Sequence, residues 1–351
     1  MLMKPLIIGH LKARLPIIQG GMGVGISRSN LAGAVALEGG IGVISTAQIG
    51  YDEEEFKTNP IEANLKAMKK HLTRAKEIAK GGIVGVNIMV ATRQYAQYVK
   101  AAVEAKADVI ISGAGLPITL PEFVKESVSK IAPIVSSLKA TSIILKMWDR
   151  RYNRTADFIV IEGPLAGGHL GFHEEELVDI NMNVYQEEIK KIIEYKKEFE
   201  DKYKQNIPVI VAGGIFDQED VRQVLLNGAD GVQIGTRFVT TKECDAPEAY
   251  KKAYINCKKE DIRIIKSPVG MPGRAIWNPF LERVTKERGE IKHCFHCLEH
   301  CNPKEVPYCI TKALTNAVEG NLDEGLIFCG ENAYRLQEMT TVKQVMEELT
   351  V

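Results

Sequence analysis

The sequence places one histidine, His169, in a glycine-rich turn that directly follows a short apolar run. The run covers residues 158–161, and the turn contains Gly167, Gly168 and Gly171. The run predicts a buried strand, and the glycines let the backbone approach a flat ligand because no side chain intervenes. A histidine held at a strand end titrates near neutral pH and can transfer protons. The turn therefore predicts His169 as a catalytic residue and Gly167 and Gly168 as ligand contacts. The alternative is a surface turn with a polar histidine.

Glycine-rich turns also follow three other apolar runs. Gly20, Gly21, Met22 and Gly23 follow residues 15–19, Gly213 and Gly214 follow residues 207–212, and Gly235 and Thr236 follow residues 230–234. The first turn lacks the third glycine and the acidic residue of a dinucleotide fingerprint, and it suits a backbone passing beside a flat ring. The other two turns suit a phosphate held by backbone N–H groups and helix N-termini.

The elements that must position these turns are eight apolar runs that alternate with helical segments. The runs are residues 15–19, 41–45, 83–89, 108–113, 132–137, 158–161, 207–212 and 230–234. The helical segments between them are residues 29–38, 52–80, 95–105, 122–129, 139–151, 174–206 and 217–227. Continuous apolar runs indicate strands buried on both faces, as in a parallel sheet. We predict a (β/α)8 barrel (TIM barrel) of the α/β class, with its active site at the carboxyl ends of the strands. An open doubly wound sheet is the alternative.

The predicted barrel covers residues 1–240, and residues 241–351 differ in kind. They contain a cysteine-rich segment and a helical tail over residues 342–349. The apolar content of this region is too low for an independent domain, so we expect a C-terminal cap over the barrel mouth. Arg274 in this region suits either an anionic ligand or a structural ion pair.

The composition is ordinary for a soluble globular protein, and seven cysteines in a chain without an export signal favour a reducing cytoplasm. Lys plus Arg equals Asp plus Glu, 45 against 45, and the basic residues are dispersed, so neither nucleic acid nor a membrane is an expected partner. The chain start lacks the apolar core of a signal peptide. The oligomeric state is left open, with a homodimer as one option.

Four cysteines lie close together in the cap. Cys294, Cys297, Cys301 and Cys309 have the spacing Cys-x2-Cys-x3-Cys-x7-Cys. Thiolates at such spacing can converge on one metal. Three interpretations remain: an iron–sulfur cluster, a zinc site, or reduced cysteines that bind no metal. The isolated Cys244, Cys257 and Cys329 are expected to pack in the core.

Taken together, these motifs resemble the nitronate monooxygenase family, which includes the FMN-type enoyl-ACP reductase II enzymes. The resemblance covers roughly residues 10–280. It rests on Gln19-Gly-Gly-Met, Leu31-Ala-Gly-Ala-Val, Gly85-Val-Asn-Ile-Met, Ser112-Gly-Ala-Gly, Glu162-Gly-x-x-Ala-Gly-Gly-His, Ala212-Gly-Gly-Ile and Gln233-Ile-Gly-Thr-Arg-Phe. The Ala-Gly-Gly-His turn is its most specific part.

The resemblance implies an FMN cofactor lying over the strand ends. The implied FMN contacts are Gly20, Gly21, Met22, Gly23, Asn87, Ser136, Glu162, Gly167, Gly168, Gly213, Gly214, Gly235 and Thr236. His169 then faces the small-molecule substrate, as a base or as an anchor for an anionic nitronate. The implied reaction is the oxidation of alkyl nitronates with O2 to carbonyl compounds and nitrite.

Two alternatives to this reaction remain. One is an NAD(P)H-dependent flavin reductase of the enoyl-ACP reductase II type, acting on an enoyl thioester or a quinone. The other is a non-catalytic barrel that binds a phosphorylated metabolite. The sequence departs from the family pattern at Pro164-Leu165, where an acidic residue is expected before Ala166, and in the cysteine-rich segment.

Overall fold

The computed structural model describes residues 3–350. Its strands, in chain order, are β1 (Leu6–Ile8), β2 (Leu11–Ala13), β3 (Ile17–Gln19), β4 (Ile41–Ser45), β5 (Ile83–Met89), β6 (Val109–Gly113), β7 (Lys130–Val135), β8 (Ile159–Glu162), β9 (Gly168–His169), β10 (Val209–Ala212), β11 (Gly231–Ile234), β12 (Ile262–Lys266) and β13 (Pro272–Ile276).

The α-helices surround and extend this set of strands. They are α1 (Ser29–Leu37), α2 (Pro60–Ala79), α3 (Tyr95–Glu104), α4 (Leu120–Phe123), α5 (Leu138–Tyr152), α6 (Met182–Tyr195), α7 (Lys197–Tyr203), α8 (Gln218–Leu226), α9 (Thr236–Val239), α10 (Glu248–Asn256), α11 (Pro279–Lys286), α12 (Ile310–Val318) and α13 (Val342–Thr350).

Eight of the strands close into a parallel barrel. Their spatial order is β10-β11-β3-β4-β5-β6-β7-β8, with β8 paired to β10. Each strand is a short apolar run whose side chains are buried on both faces, which is the pattern that parallel sheets covered by helices require. The predicted (β/α)8 barrel is therefore confirmed, and the open doubly wound sheet is wrong.

The interior of the barrel is a closed apolar core with a floor made by the N-terminal hairpin. Strands β1 and β2 pair antiparallel, and Leu6, Ile8 and Ala13 pack against the inward side chains of the barrel strands. Ile18 and Phe158 are among those inward residues and are fully buried. Because this end of the barrel is filled, a ligand must enter at the opposite end, where the strands have their carboxyl termini.

Short polar side chains begin the helices that follow several strands. Asn59, Ser137 and Asp217 accept hydrogen bonds from the backbone of the first turn of α2, α5 and α8, respectively. Such caps satisfy N–H groups that have no partner inside the helix. The cap after β7 and the cap after β10 thereby determine where each chain turns away from the barrel mouth.

Two helix predictions differ from the structure. The predicted helix over residues 122–129 is only the short α4, because Val124, Ser127 and Val128 are poor helix formers and this stretch connects directly to β7. The charged segment over residues 174–206 is a 3-10 turn followed by α6 and α7, which meet at Lys196. Most of the charged side chains face solvent, Lys196 is buried and paired with Glu200, and the buried Ile192 and Phe199 hold the two helices on the barrel.

Residues beyond the barrel wrap back over its mouth. Strands β12 and β13 form a hairpin, and β13 also pairs with β9 in the turn that carries His169. Helix α13 packs against α1, α8 and α9. Within residues 3–350, no helix is both long and apolar enough to cross a membrane.

Asp245, in the loop after the last barrel strand, caps the first barrel helix. Its carboxylate accepts the backbone N–H groups of Arg28 (2.9 Å), Asn30 (3.3 Å) and Leu31 (3.1 Å) at the start of α1. We expect Asp245→Ala to lower the free energy of unfolding by about 2–3 kcal/mol, because three N–H donors, two of them on the buried residues Arg28 and Leu31, lose a charged acceptor. Urea denaturation measures this loss. Asp245→Asn keeps one acceptor oxygen and should lose less, and equal losses for both variants would contradict the capping role.

Candidate active site

A cavity opens at the carboxyl ends of the barrel strands, and we call it the barrel-mouth cavity. It brings together nearly all the residues that the sequence nominated. These are Gly20, Gly21, Met22, Gly23, Asn87, Glu162, Gly167, Gly168, His169, Gly213, Gly214, Gly235 and Thr236. Ser136 does not line the cavity, because its hydroxyl turns away and donates to the carbonyl of Gly171 (2.7 Å).

Part of the cavity wall comes from the region beyond the barrel, which the sequence did not nominate. Tyr254, Leu314, Phe328, Cys329 and Gly330 line the side of the cavity away from the barrel strands. No local motif marks these residues, since they reach the site only through the folding of the C-terminal region. They make one wall of the cavity mainly apolar.

His169 is held at the cavity by backbone pairing and by two side chains. Its backbone pairs with Gly273 of β13, its Nε2 lies 2.7 Å from Ser267 Oγ, and its ring meets the edge of Phe328 at 4.8 Å between centroids. Nδ1 has no hydrogen-bond partner among the described residues. Burial lowers the pKa of His169 to about 4. The imidazole is therefore neutral at pH 7 and able to accept a proton.

The glycines of the first turn form a wall without side chains. A Cβ atom on Gly21 would lie 2.5 Å from Asn87 Cβ, and one on Gly23 would lie 2.7 Å from Ser45 Oγ. Larger residues do not fit at either position without displacing their neighbours. The backbone itself therefore forms this surface, which suits the face of a flat ring system.

The turns after β10 and β11 offer backbone donors to an anion. Gly213 and Gly214 adopt positive φ angles of 96° and 80°, which favour glycine. The N–H groups of Gly214 and Gly235 have no protein acceptor within residues 3–350. Thr236 Oγ1 accepts the N–H of Gly330 (3.2 Å) and keeps its own hydrogen for a ligand. Unpaired donors at two neighbouring strand ends fit a phosphate group.

Arg274 supports the turn that carries His169 and does not face a ligand. Its side chain is 2% exposed and forms an ion pair with Glu331, Nε to Oε2 2.9 Å. Nη1 donates to the carbonyls of Pro164 (2.8 Å) and Ala166 (2.5 Å). Of the two interpretations of Arg274, the structure bears out the ion pair, because the guanidinium donors are directed at the protein.

A short segment of the C-terminal region, residues 328–332, which we call the C-terminal strap, connects three of the strand-end turns. Gly330 N–H bonds Thr236 after β11, Glu331 N–H donates to Leu165 O after β8 (3.2 Å), and Asn332 Nδ2 donates to Gly214 O after β10 (2.7 Å). The C-terminal strap therefore fixes the turns after β10 and β11, which offer donors to a phosphate, relative to the turn after β8 that leads to His169.

The prediction of an iron–sulfur or zinc site is not supported. In the part of the chain that the structure describes, no group of three or more His, Cys, Asp or Glu residues is arranged to hold a metal ion, and all seven cysteines are free. Cys297 and Cys301 pack against the apolar cluster around Leu298, and Cys309 packs against Phe56 and Phe295. Burial raises the pKa values of these three thiols, which keeps them protonated, whereas a metal is bound by the thiolate. The segment instead docks on the loop after β5 through a bridge between Leu298 and Thr92.

The sequence of nearly the whole chain, residues 4–351, matches the family model described as nitronate monooxygenase. The chain belongs to the nitronate monooxygenase family. It is therefore an enzyme, a flavin-dependent oxidoreductase, and the alternative of a non-catalytic metabolite-binding barrel is wrong. The family match extends the resemblance seen in the motifs to the cap, beyond residue 280.

Relatives of this family member have similar length and similar structure. A probable nitronate monooxygenase of Staphylococcus saprophyticus is 25% identical, covering 95% of this chain and 93% of that protein. One from Staphylococcus aureus strain Newman is 27% identical, covering 80% of each. FabK from Thermotoga maritima is 26% identical, with a TM-score of 0.72, covering 96% of this chain and 92% of that one. A nitroalkane oxidase from Streptomyces ansochromogenes shares the fold at 19% identity, with a TM-score of 0.72, covering 96% and 95%.

The barrel-mouth cavity of this family member carries no fixed positive charge. None of the described residues that line it is lysine or arginine, and Glu162 is its single acidic residue. Burial raises the pKa of Glu162 to about 8 and raises the pKa values of Tyr254 and Cys329 well above their ordinary ranges. With His169 also neutral, the lining side chains have almost no net charge at pH 7.

Proposed function

We propose that the chain is an FMN-dependent monooxygenase that oxidises alkyl nitronates with O2 to carbonyl compounds and nitrite. The observation that carries the proposal is a half-buried, neutral His169 that faces a cavity without a fixed charge, beside a wall of bare backbone. The names of the Staphylococcus relatives point to the same reaction.

The cavity has the groups that FMN requires. The backbone at Gly21 and Gly23 would lie along the ring system, and Gly214, Gly235 and Thr236 would donate to the phosphate. FMN, when bound, supplies the site that accepts electrons from the substrate. The protein itself holds the substrate, excludes water from the cavity and accepts a proton on His169.

We expect His169 to accept a proton during the reaction, because its imidazole is neutral and no charged side chain within residues 3–350 lies close to it. An anionic nitronate in a cavity without a fixed cation gains stability when the imidazole takes up a proton and becomes its counter-ion. A neutral nitroalkane reaches the same ion pair by losing its α proton to the imidazole. The bond between Nε2 and Ser267 holds the ring in one orientation for either event.

An anaerobic visible spectrum tests the proposal. The purified protein is expected to be yellow, to keep its flavin bands when NADH is added, and to lose them when propyl nitronate is added. Admission of air should then release nitrite. A colourless protein that cannot be reconstituted with FMN would overturn the proposed cofactor and the reaction together.

The uncharged lining favours a second candidate, the NAD(P)H-dependent reductase of an enoyl thioester or a quinone. Such substrates are neutral at the reacting group and need no counter-ion in the cavity. Rapid bleaching by NADH, with no response to nitronate, would replace the monooxygenase by this reductase.

A further inference from the structure

Among residues 3–350, Glu162 is the one acidic side chain that lines the barrel-mouth cavity, and its carboxyl group has no hydrogen-bond or ion-pair partner there. It ends strand β8 at the barrel mouth, where it is half-buried and lines the cavity. No hydrogen bond or ion pair to its side chain exists within residues 3–350. A half-buried carboxyl group without a partner therefore lines the proposed cofactor site.

The groups around Glu162 do not favour its charged form. Ala212 is its partner on β10. From α6, the buried hydroxyl of Tyr185 approaches the same strand end, 2.9 Å from where a Cβ on Gly163 would lie, and it too has no hydrogen-bond partner. The other titratable groups that line the cavity are His169, Tyr254 and Cys329, and all three are neutral at pH 7. None of these groups is a cation.

A carboxylate in this setting would lose its hydration and gain no counter-charge. The cost of burying an unpaired charge is large, and such groups take up a proton instead. Desolvation accordingly raises the pKa of Glu162 to about 8, from an ordinary value of 4.5. A protonated carboxyl differs from a carboxylate in one decisive respect, because it has an O–H that donates a hydrogen bond.

We propose that Glu162 is a carboxylic acid at neutral pH and donates its proton to an acceptor atom on the polar edge of the bound flavin. FMN then binds more tightly to the form of the protein in which the Glu162 carboxyl group carries its proton. The proposal rests on the FMN part of the proposed function and is independent of the substrate.

The dissociation constant of FMN, measured by fluorescence quenching of added FMN in apoprotein between pH 7 and 9, tests the coupling. In this range the phosphate is already dianionic. We expect the constant to be nearly level at pH 7 and to rise with a limiting slope of about tenfold per pH unit above the Glu162 pKa. Glu162→Gln keeps a donor but cannot ionise, so its FMN affinity should be level across the range.

Two further variants identify the titrating group. Tyr185→Phe and His169→Asn should each keep the pH dependence of the wild type, since neither removes the carboxyl group. A level profile in the wild-type protein, or the same slope in Glu162→Gln, would overturn the proposal.

The stability of the apoprotein gives a readout without any cofactor. Because the folded pKa of Glu162 lies above the unfolded value, its contribution is fully present below about pH 4.5 and is lost as the pH rises through about 8. Relative to Glu162→Gln, the wild-type melting temperature should fall over this window. If the difference in melting temperature between wild type and Glu162→Gln did not change with pH, Glu162 would be ionised throughout and the proposal would be contradicted. If this shift is present but FMN does not bind, the cofactor assignment fails and the protonation of Glu162 stands.

Discussion

Replacement of His169 by alanine is expected to lower kcat for an alkyl nitronate by about 10²–10⁴-fold, the range typical of a lost general acid or base. The neutral imidazole is the proton acceptor that the barrel-mouth cavity offers at pH 7. FMN affinity should change little, because the proposed ring and phosphate contacts are made by other residues. Steady-state nitrite release measures the first effect, and flavin titration measures the second.

Ser267→Ala is the matched control for the histidine. It leaves the imidazole in place and removes only the hydroxyl that lies 2.7 Å from Nε2. We expect a smaller loss of kcat, because the ring remains held by the β9–β13 pairing and by Phe328. If His169→Ala instead lost FMN and thermal stability together, the residue would serve the fold and the catalytic assignment would be wrong.

Replacement of Arg274 by methionine is expected to have the largest effect on stability, about 3–5 kcal/mol of the free energy of unfolding. The change leaves the buried carbonyls of Pro164 and Ala166 without donors and removes the partner of Glu331. The turn that leads to His169 loses its support, so FMN affinity should decline as well. Urea denaturation of the apoprotein and flavin titration measure the two effects.

Glu331→Gln separates the ion pair from the carbonyl contacts. It keeps Arg274 bonded to Pro164 and Ala166, and its own side chain is already 31% exposed. We therefore expect a smaller loss of stability than for Arg274→Met. A variant Arg274→Met with wild-type stability and wild-type FMN affinity would show that the turn keeps its shape without the guanidinium.

The positions of the barrel strands and of most cavity residues follow from the sequence. Short apolar runs separated by helical segments leave few arrangements other than a parallel barrel, and its strand ends must meet at one mouth. Gly21, Asn87, His169 and Gly214 each lie at a strand end or within two residues of one, so their convergence follows from chain order.

Other features depend on contacts between residues distant in the chain, and only the tertiary structure decided them. The C-terminal strap reaches Thr236 and Gly214 from about a hundred positions away, and no local pattern encodes that approach. The four cysteines have a spacing that suits a metal, yet within residues 3–350 no group of three or more His, Cys, Asp or Glu residues is arranged to hold one.

The protonation states of the residues in the barrel-mouth cavity depend most clearly on the tertiary structure. Glu162 and His169 have ordinary side chains whose titration in water is known from their type alone. Burial at the barrel mouth raises the pKa of one and lowers that of the other, so both are neutral near pH 7. Desolvation depends on everything that surrounds a group in the folded protein, and for that reason the sequence identified the two residues while only the fold determined their protonation.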